Sequence, residues 1–307
     1  MFIKNNLSWI NIDIACKCLQ LNRSSYYEWF KNEPQRLERR KLQQDLVELI
    51  KTEHMKSRRR YGSPKITEKL KKNGVKCSHN KVSKLMRENN IKSIVNKKYR
   101  ATTNSKHNLA VFDNILGRQF IVPRPNYAWV SDITYVPTNE GWLYLATVLD
   151  LYSNKIIGYA MSDRINKQLV IDALLTALRT RGYPTSVIVH TDMGSQYASN
   201  AYKAVLKRYK LIGSMSRKGN CWDNAVAENF FGIIKKEYIN QVKFTTRHQA
   251  RLGIFDYIEG WYNTQRIHSK IGYLTPVEFE ELEVTLPVIG RKNMNINLKM
   301  GVKSAQL

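Results

Sequence analysis

The sequence predicts an α/β protein in which a mixed five-stranded sheet with helices follows an all-α region. Three observations lead to this expectation. Short helical patterns fill residues 9–90. From residue 125, an alternating segment, a hairpin turn at Asn139–Gly141 and two segments rich in Val, Leu and Ile predict three antiparallel strands, after which helices and strands alternate. Positive charge is concentrated ahead of the predicted sheet, so the two regions differ in composition as well as in pattern.

The charge of the chain favours a polyanionic partner. Its 307 residues include 50 Lys and Arg against 25 Asp and Glu, a net charge of +25. Residues 1–120 hold 27 of the basic and 10 of the acidic residues, and the rest of the chain holds 23 and 15. Because such a field attracts nucleic acid, we expect a nucleic-acid-binding N-terminal part and a less basic C-terminal part.

Several protein classes are disfavoured by composition. No apolar run approaches the ~20 residues of a membrane helix, and the first residues lack the apolar segment of a signal peptide. The four cysteines, at positions 16, 18, 77 and 221, are too few and too unevenly spaced for a disulfide framework or a four-ligand zinc site. We therefore expect reduced thiols in a cytoplasmic, nucleoid-associated protein with no membrane partner.

The N-terminal helices are predicted in two groups. Residues 1–56 form a helical region with a break at Asn22–Ser25 and a long charged helix over 35–56. Residues 57–92 form two short helices, the second capped by Ser78. They fit a DNA-reading helix-turn-helix, and a small bundle with a solvated basic face is the alternative. The outward positions of the second helix, our candidate DNA contacts, are Asn80, Lys81, Lys84 and Arg87.

The rest of the chain is assigned in order. Residues 93–120 predict a basic linker, residues 121–284 the sheet-containing core with its C-terminal helices, and residues 285–307 a basic tail. Within the core, strands are expected near 127–136, 142–152, 155–162, 186–190 and 211–215. Helices are expected near 167–180, 201–210, 222–239 and 246–266, with a short one after Thr275.

Three acids lie at positions where a buried charge costs free energy or where α/β proteins bind ligands. Asp132 lies inside an apolar strand, Asp192 closely follows a buried strand, and Glu228 lies on a predicted helix with small neighbours. If they converge, their repulsion calls for hard divalent cations, and two such ions serve in-line displacement at phosphorus. A chain with 25 acids offers many such triples, so chemistry alone does not join these three.

Longer motifs around these acids resemble a known family. The spacing of Asp192 and Glu228 leaves 35 residues between them. The matching segments are Trp129–Tyr135, Val148–Ser153, His190–Tyr197 and Ser216–Phe231, followed by Tyr262, Asn263, Arg266, His268 and Leu274–Pro276. Together they resemble the second-frame (OrfB) transposases of the bacterial insertion sequence three family, which have a DDE integrase core.

The resemblance implies a ribonuclease H-like core in which Asp132, Asp192 and Glu228 are the catalytic, metal-binding acids. It implies two Mg²⁺ ions per site, for which we expect Mn²⁺ to substitute. The implied function is binding of insertion-sequence ends followed by metal-dependent DNA strand cleavage and strand transfer. The implied partners are the inverted-repeat ends and target DNA, further copies of the chain, and the first-frame (OrfA) product or its fusion.

Two other functions stay open at this point. A non-catalytic DNA-binding regulator or transposition inhibitor would need only the helix-turn-helix, and a ribonuclease H-like nuclease acting on hybrids would share the acids. The three intact acids argue against a decayed core, and the basic helical region favours duplex ends over hybrids.

Further residues near the acids are candidates with alternatives. Lys235 and Lys236 on the Glu228 helix, Asn224 one turn before Glu228, and the loop residues Arg217 and Lys218 are expected to contact DNA. For Asp150 we expect a structural hydrogen-bonding role, and for His190 a packing role. Packing is also expected for the cluster of Tyr262, Asn263, Arg266 and His268.

Overall fold

The computed structural model describes residues 11–94, 111–217 and 221–285. The chain divides into two compact units, residues 1–93 and 94–307. Parts of four predicted segments lie outside the described residues: 1–10 of the N-terminal helical region, 95–110 of the linker, 218–220 of the core, which include Lys218, and 286–307 of the tail. In the described ranges, no helix is long and apolar enough to cross a membrane.

The first unit is built of helices, as predicted. The break expected near Asn22 is observed, because the Asn22 side chain caps a new helix by accepting from Ser24 N. Ser78 caps the last helix in the same way, accepting from Lys81 N. The helices are α1 (Ile12–Cys18), α2 (Arg23–Lys31), α3 (Glu33–Lys56), α4 (Ser63–Lys72) and α5 (His79–Glu88).

Helices α3, α4 and α5 share one apolar core. The long helix α3 ends where Arg58 and Arg59 adopt left-handed backbone angles, which turns the chain toward α4. Buried His54 bonds through Nδ1 to the carbonyl of Tyr61 at 3.2 Å and so ties α3 to this turn. The side chains that fill the core are Leu46, Val47, Ile50, Ile66, Leu70, Val82, Leu85 and Met86.

The second unit contains the predicted mixed five-stranded sheet. Its strand order is β3-β2-β1-β4-β5. β1 pairs antiparallel with β2, and β2 with β3, whereas β4 runs parallel to both β1 and β5. The strands are β1 (Ala128–Thr138), β2 (Gly141–Asp150), β3 (Ile156–Ser162), β4 (Ile188–Thr191) and β5 (Ile212–Met215).

Helices cover the sheet. Helix α6 packs closely on β3 because Gly158 has no side chain; a Cβ there would lie 2.4 Å from Ala177 N. The helices are α6 (Lys167–Thr180), α7 (Ser195–Ala198), α8 (Asn200–Arg208), α9 (Ala225–Glu237), α10 (Arg247–Phe255) and α11 (Pro276–Thr285). A 3-10 turn over Cys221–Asn224 precedes α9, and a π-helix over Asp256–Tyr262 continues α10 where one uninterrupted helix was predicted.

The end of the predicted linker packs against the sheet. Leu116 is buried, and the backbone N–H groups of Ile115 and Leu116 donate to Ser214 Oγ on β5 at 3.0 and 3.2 Å. The ring of Phe112 fills the space left by Gly213. The polar sequence of this segment has no periodicity that indicates these contacts, whose partners lie almost 100 residues further along the chain.

Candidate active site

The register of the sheet brings the first two acids together. The parallel ladder between β1 and β4 ends with the pair Ser131 and Thr191. Asp132 is the next residue of β1, and Asp192 is the next residue after β4. Neighbouring strands lie about 4.8 Å apart, so the two acids occupy adjacent positions at one edge of the sheet.

Backbone amides orient both carboxylates. Ile133 N donates to Asp132 Oδ1 at 2.8 Å, and Gly194 N donates to Asp192 Oδ1 at 2.9 Å. A Cβ at Gly194 would lie 2.9 Å from that same Asp192 oxygen. The glycine therefore lets the chain turn closely around the carboxylate without displacing it.

The third acid is supplied by a helix. Glu228 lies in the first turn of α9, half-buried, and α9 packs against β1. Burial raises the pKa of Glu228, and the neighbouring Asp192 raises it further. This mutual influence places Glu228 within electrostatic reach of the strand acids.

The Asp132 carboxyl group is strongly perturbed by its surroundings. Burial raises its pKa well above the usual range, and the charges of Asp192 and Glu228 add to the shift, whereas Lys235 opposes it. Among the described residues, no three His, Cys, Asp or Glu side chains converge closely enough to hold a metal ion as they stand. Repulsion between carboxylates opposes such convergence, and a bound cation would remove that repulsion.

Lys235 faces the acids from within the fold. Its side chain is buried, and burial lowers its pKa to about 8, although Asp132 acts in the opposite direction. Its Nζ lies 4.6 Å from the centroid of the Tyr135 ring. Lys235 lies on the same side of α9 as Glu228, as expected, but its side chain is covered by the protein. The neighbouring Lys236 is only partly buried.

The loop before α9 is anchored by a buried carboxylate. Asp223 accepts from Arg217 N, Nε and Nη2 at 2.9–3.0 Å, from Arg118 Nε at 2.7 Å and from Asn114 Nδ2 at 2.9 Å. These donors hold the pKa of Asp223 far below its usual range. The guanidinium of Arg217 is thus engaged within the protein, and the sequence could not reveal partners more than 100 residues apart.

Asn224 has an unusual environment. It is buried immediately before the first residue of α9, and its Oδ1 has no hydrogen-bond partner in the described structure. A buried amide oxygen without a donor is costly. Its place one turn before Glu228 makes it available to a donor that enters the site.

The residues expected to support the fold do so. Burial lowers the pKa of His190 to about 4, and the ring bonds through Nδ1 to Ser214 Oγ at 2.9 Å. Fully buried Asp150 accepts from Asn126 N at 3.0 Å and pairs with Arg181 at 3.3 Å. The side chains of His190 and Asp150 therefore form their polar contacts within the core.

The cluster of Tyr262, Asn263, Arg266 and His268 is also buried inside the protein. Arg266 forms a buried ion pair with Glu237, the last residue of α9, at 2.9 Å. Asn263 exchanges two hydrogen bonds with the backbone of β3, and Tyr262 packs edge-on against His268. These contacts agree with the packing role expected for the cluster.

In the first unit, the candidate DNA contacts share one exposed face. Asn80, Lys81, Lys84 and Arg87 all lie on α5 away from its buried side. Buried Val82, Leu85 and Met86 occupy the opposite side of the helix. The arrangement is the one that a helix entering a DNA groove requires.

Comparisons with known proteins agree with this architecture. A family model for an HTH-like domain matches residues 41–99, and two models for an integrase core domain match residues 122–221 and 228–283. The transposase InsF of insertion sequence IS3A from Escherichia coli (strain K12) is 39% identical, over 91% of this chain and 97% of its own length. The chain belongs to the IS3 family of transposases.

A second relative of this IS3-family chain is the uncharacterized 31 kDa protein of insertion element IS600 from Shigella sonnei. It is 41% identical over 87% of this chain and 97% of its own length. A cryo-EM structure of a simian T-cell lymphotropic virus intasome, in complex with a regulatory subunit of PP2A, is 15% identical with a TM-score of 0.45. The match covers 76% of this chain and 74% of that one. The expected integrase core and preceding HTH-like region are confirmed, and family membership supports a transposase role.

Proposed function

We propose that this chain is a DDE-type polynucleotidyl transferase that cuts and joins DNA strands at the ends of an insertion element. Asp132, Asp192 and Glu228 are its catalytic acids. The observation that carries the proposal is the end of the β1–β4 ladder, which sets two carboxylates side by side with Glu228 within electrostatic reach.

The donor chemistry of the site fits magnesium. Carboxylate oxygens are the ligands that hard divalent ions prefer, and the buried, mutually repelling acids gain most from a cation. We propose that the three acids hold two Mg²⁺ ions and that Mn²⁺ substitutes for them. When bound, such ions activate the attacking oxygen and stabilise the leaving oxygen of a phosphodiester.

The remaining side chains support the acids. Ile133 N and Gly194 N fix the carboxylates of Asp132 and Asp192, which limits the reorganisation needed at the moment of reaction. Lys235 supplies positive charge beside Asp132. On this proposal it acts on a phosphate brought to the acids, whereas Lys236 contacts the DNA backbone outside the site.

DNA binding is proposed for three places. The exposed face of α5 reads the element ends through Asn80, Lys81, Lys84 and Arg87. The loop residues Arg217 and Lys218 contact DNA as well, and Lys218 lies outside the described part of the chain. Asn224 contacts DNA beside the catalytic helix, with its unpaired Oδ1 accepting from a donor group of the nucleic acid.

The α5 assignment has its own test. Replacing Lys81 or Lys84 with alanine should lower the slope of log affinity against log salt by about 1 for each phosphate that the side chain neutralises. The control is Lys51→Ala on α3, which removes a lysine paired with Glu48. Equal slopes for the α5 and control variants would reject the assignment.

Strand cleavage and joining on a labelled element-end duplex with Mg²⁺ test the catalytic proposal. Asp192→Asn and Glu228→Gln should each lower the rate at least about 100-fold, because several kcal/mol of charge stabilisation depend on the acids. Asp172→Asn, the same change at an exposed position on α6, should leave the rate unchanged. Full activity in Asp192→Asn would refute the assignment.

The proposed reaction also requires partner molecules. Joining two element ends calls for more than one copy of the chain, and we propose that the first-frame product or its fusion contributes as well. If the intact chain binds ends but yields no product even with that partner, the alternative of a non-catalytic DNA-binding regulator or inhibitor would replace the enzyme proposal.

A further inference from the structure

Two exposed aromatic side chains lie in contact on the hairpin between β1 and β2. Tyr135 is 37% exposed and Trp142 is 49% exposed. Their ring centroids are 5.0 Å apart at an interplanar angle of 78°. Since Tyr135 is paired with Tyr144 and Trp142 lies two residues before Tyr144, the two rings are diagonal neighbours on one face of the sheet.

This aromatic pair lies close to the proposed catalytic edge. Tyr135 follows Asp132 by three residues on β1, about 10 Å along the strand, so the two side chains leave opposite faces of the sheet. Lys235 connects them, because its ammonium group lies over the Tyr135 ring and also acts on the charge of Asp132. The strand β4 ends at Thr191, so beyond Ser131 this edge of β1 is no longer covered by β4. A DNA strand that passed from Asp132 around the part of this edge that β4 leaves would reach the aromatic pair within a few nucleotides.

Positive charge flanks the pair on both sides. Lys235 Nζ lies over the Tyr135 ring. Arg247, at the start of α10, donates from Nε to the carbonyl of Trp142 at 3.1 Å. Exposed aromatic surface between cations suits an unstacked nucleobase, because the ring stacks on the base while the cations attract the phosphates on either side of it.

We propose that the Tyr135–Trp142 pair is a stacking site for an unpaired nucleobase a few nucleotides from the phosphodiester held by the acids. The base lies on the indole of Trp142, and Tyr135 forms the wall on the side of Lys235. This inference rests on the proposed function, because the acids define which strand is held. The competing explanation is that the pair only stabilises the hairpin.

Equilibrium binding of two probes tests the proposal. Both are the same duplex with a four-residue 3′ overhang, of thymidines in one and abasic sites in the other, and no divalent metal is added. Wild-type protein should bind the thymidine probe about 5- to 150-fold more tightly, the range expected for one stacked base. Trp142→Leu should reduce this ratio toward one, leave affinity for the abasic probe unchanged, and be rescued by Trp142→Phe.

The control is Tyr183→Leu, which removes another exposed aromatic of the second unit, one that stacks on Tyr209, and should keep the wild-type ratio. An unchanged ratio in Trp142→Leu, or an equal loss of affinity for both probes, would overturn the stacking site. Metal-dependent cleavage is measured separately on the wild type. If the wild type does not cleave DNA but still prefers the thymidine probe, the proposed function would be rejected and the stacking site would remain.

Discussion

Replacing Arg266 with methionine should destabilise the second unit, because it leaves the Glu237 carboxylate buried without its cation. Arg266 donates to Glu237 from Nε at 3.0 Å and from Nη2 at 2.9 Å, and the two side chains are 8% and 6% exposed. Loss of one member of a buried pair costs about 3–5 kcal/mol. Tyr257 and Trp261 still donate to the carboxylate, at 2.9 and 3.3 Å, which places the expected loss near the lower limit.

Thermal and urea unfolding of the full chain measure this loss. About 3 kcal/mol corresponds to a fall in Tm of about 6–12 °C for a unit of this size. Arg266→Met combined with Glu237→Gln should recover much of the stability, because no unpaired charge remains and the amide oxygen can still accept from Tyr257 and Trp261. Lys51→Met, which breaks the exposed pair with Glu48, should cause a far smaller change.

Two results would refute the reasoning. A loss below about 1 kcal/mol in Arg266→Met would mean that the carboxylate is solvated or protonated at little cost. A double variant no more stable than the single variant would mean that the arginine contributes through packing rather than through charge.

Three further predictions concern other parts of the molecule. Gly158→Ala should lower stability by about 1–3 kcal/mol in urea unfolding, because the new Cβ would meet Ala177 N at 2.4 Å; an unchanged midpoint would contradict this. Gly194→Ala should reduce cleavage by displacing the Asp192 carboxylate while the Tm is retained, and full activity would count against that geometry. Burial lowers the pKa of His54, so its contribution to stability is complete above the unfolded value of about 6.5 and is lost as the pH falls below it. His54→Gln should therefore flatten the stability curve between about pH 7 and 5, and an unaltered curve would refute the assignment.

Local sequence signals were sufficient for most of the elements. The apolar period over Lys167–Thr180 predicts α6 with the bounds observed, and Ser78 marks the start of α5 by its capping side chain. Alternation in β1 and the turn at Asn139–Gly141 predict the antiparallel pair of β1 and β2. Such features depend on neighbours within a few residues, which is why they can be predicted without tertiary contacts.

Features that depend on residues far apart in the sequence could not be predicted from local signals. In the π-helix that begins at Asp256, Tyr257 and Trp261 donate to the buried Glu237 carboxylate, a contact with a residue about 20 positions earlier in the chain. Helical spacing correctly places Lys235 on the side of Glu228, but the sequence does not reveal that β1 covers that side. The hydrogen bonds that Asp223 accepts from Arg118 and Asn114 are hidden for the same reason.

The β1–β4 ladder ends directly before Asp132 and Asp192, and this position affects the order in which the site can form as the chain is synthesised. Asp132 and Asp192 become neighbours only after a parallel pairing that spans 60 positions, and Glu228 joins them from a helix made later still. Pairing of distant parallel strands is slow, and slippage by one residue would turn the acids of one strand to the opposite side of the sheet. On the proposed function, a nascent chain would therefore complete its basic N-terminal helices before the three acids could come together.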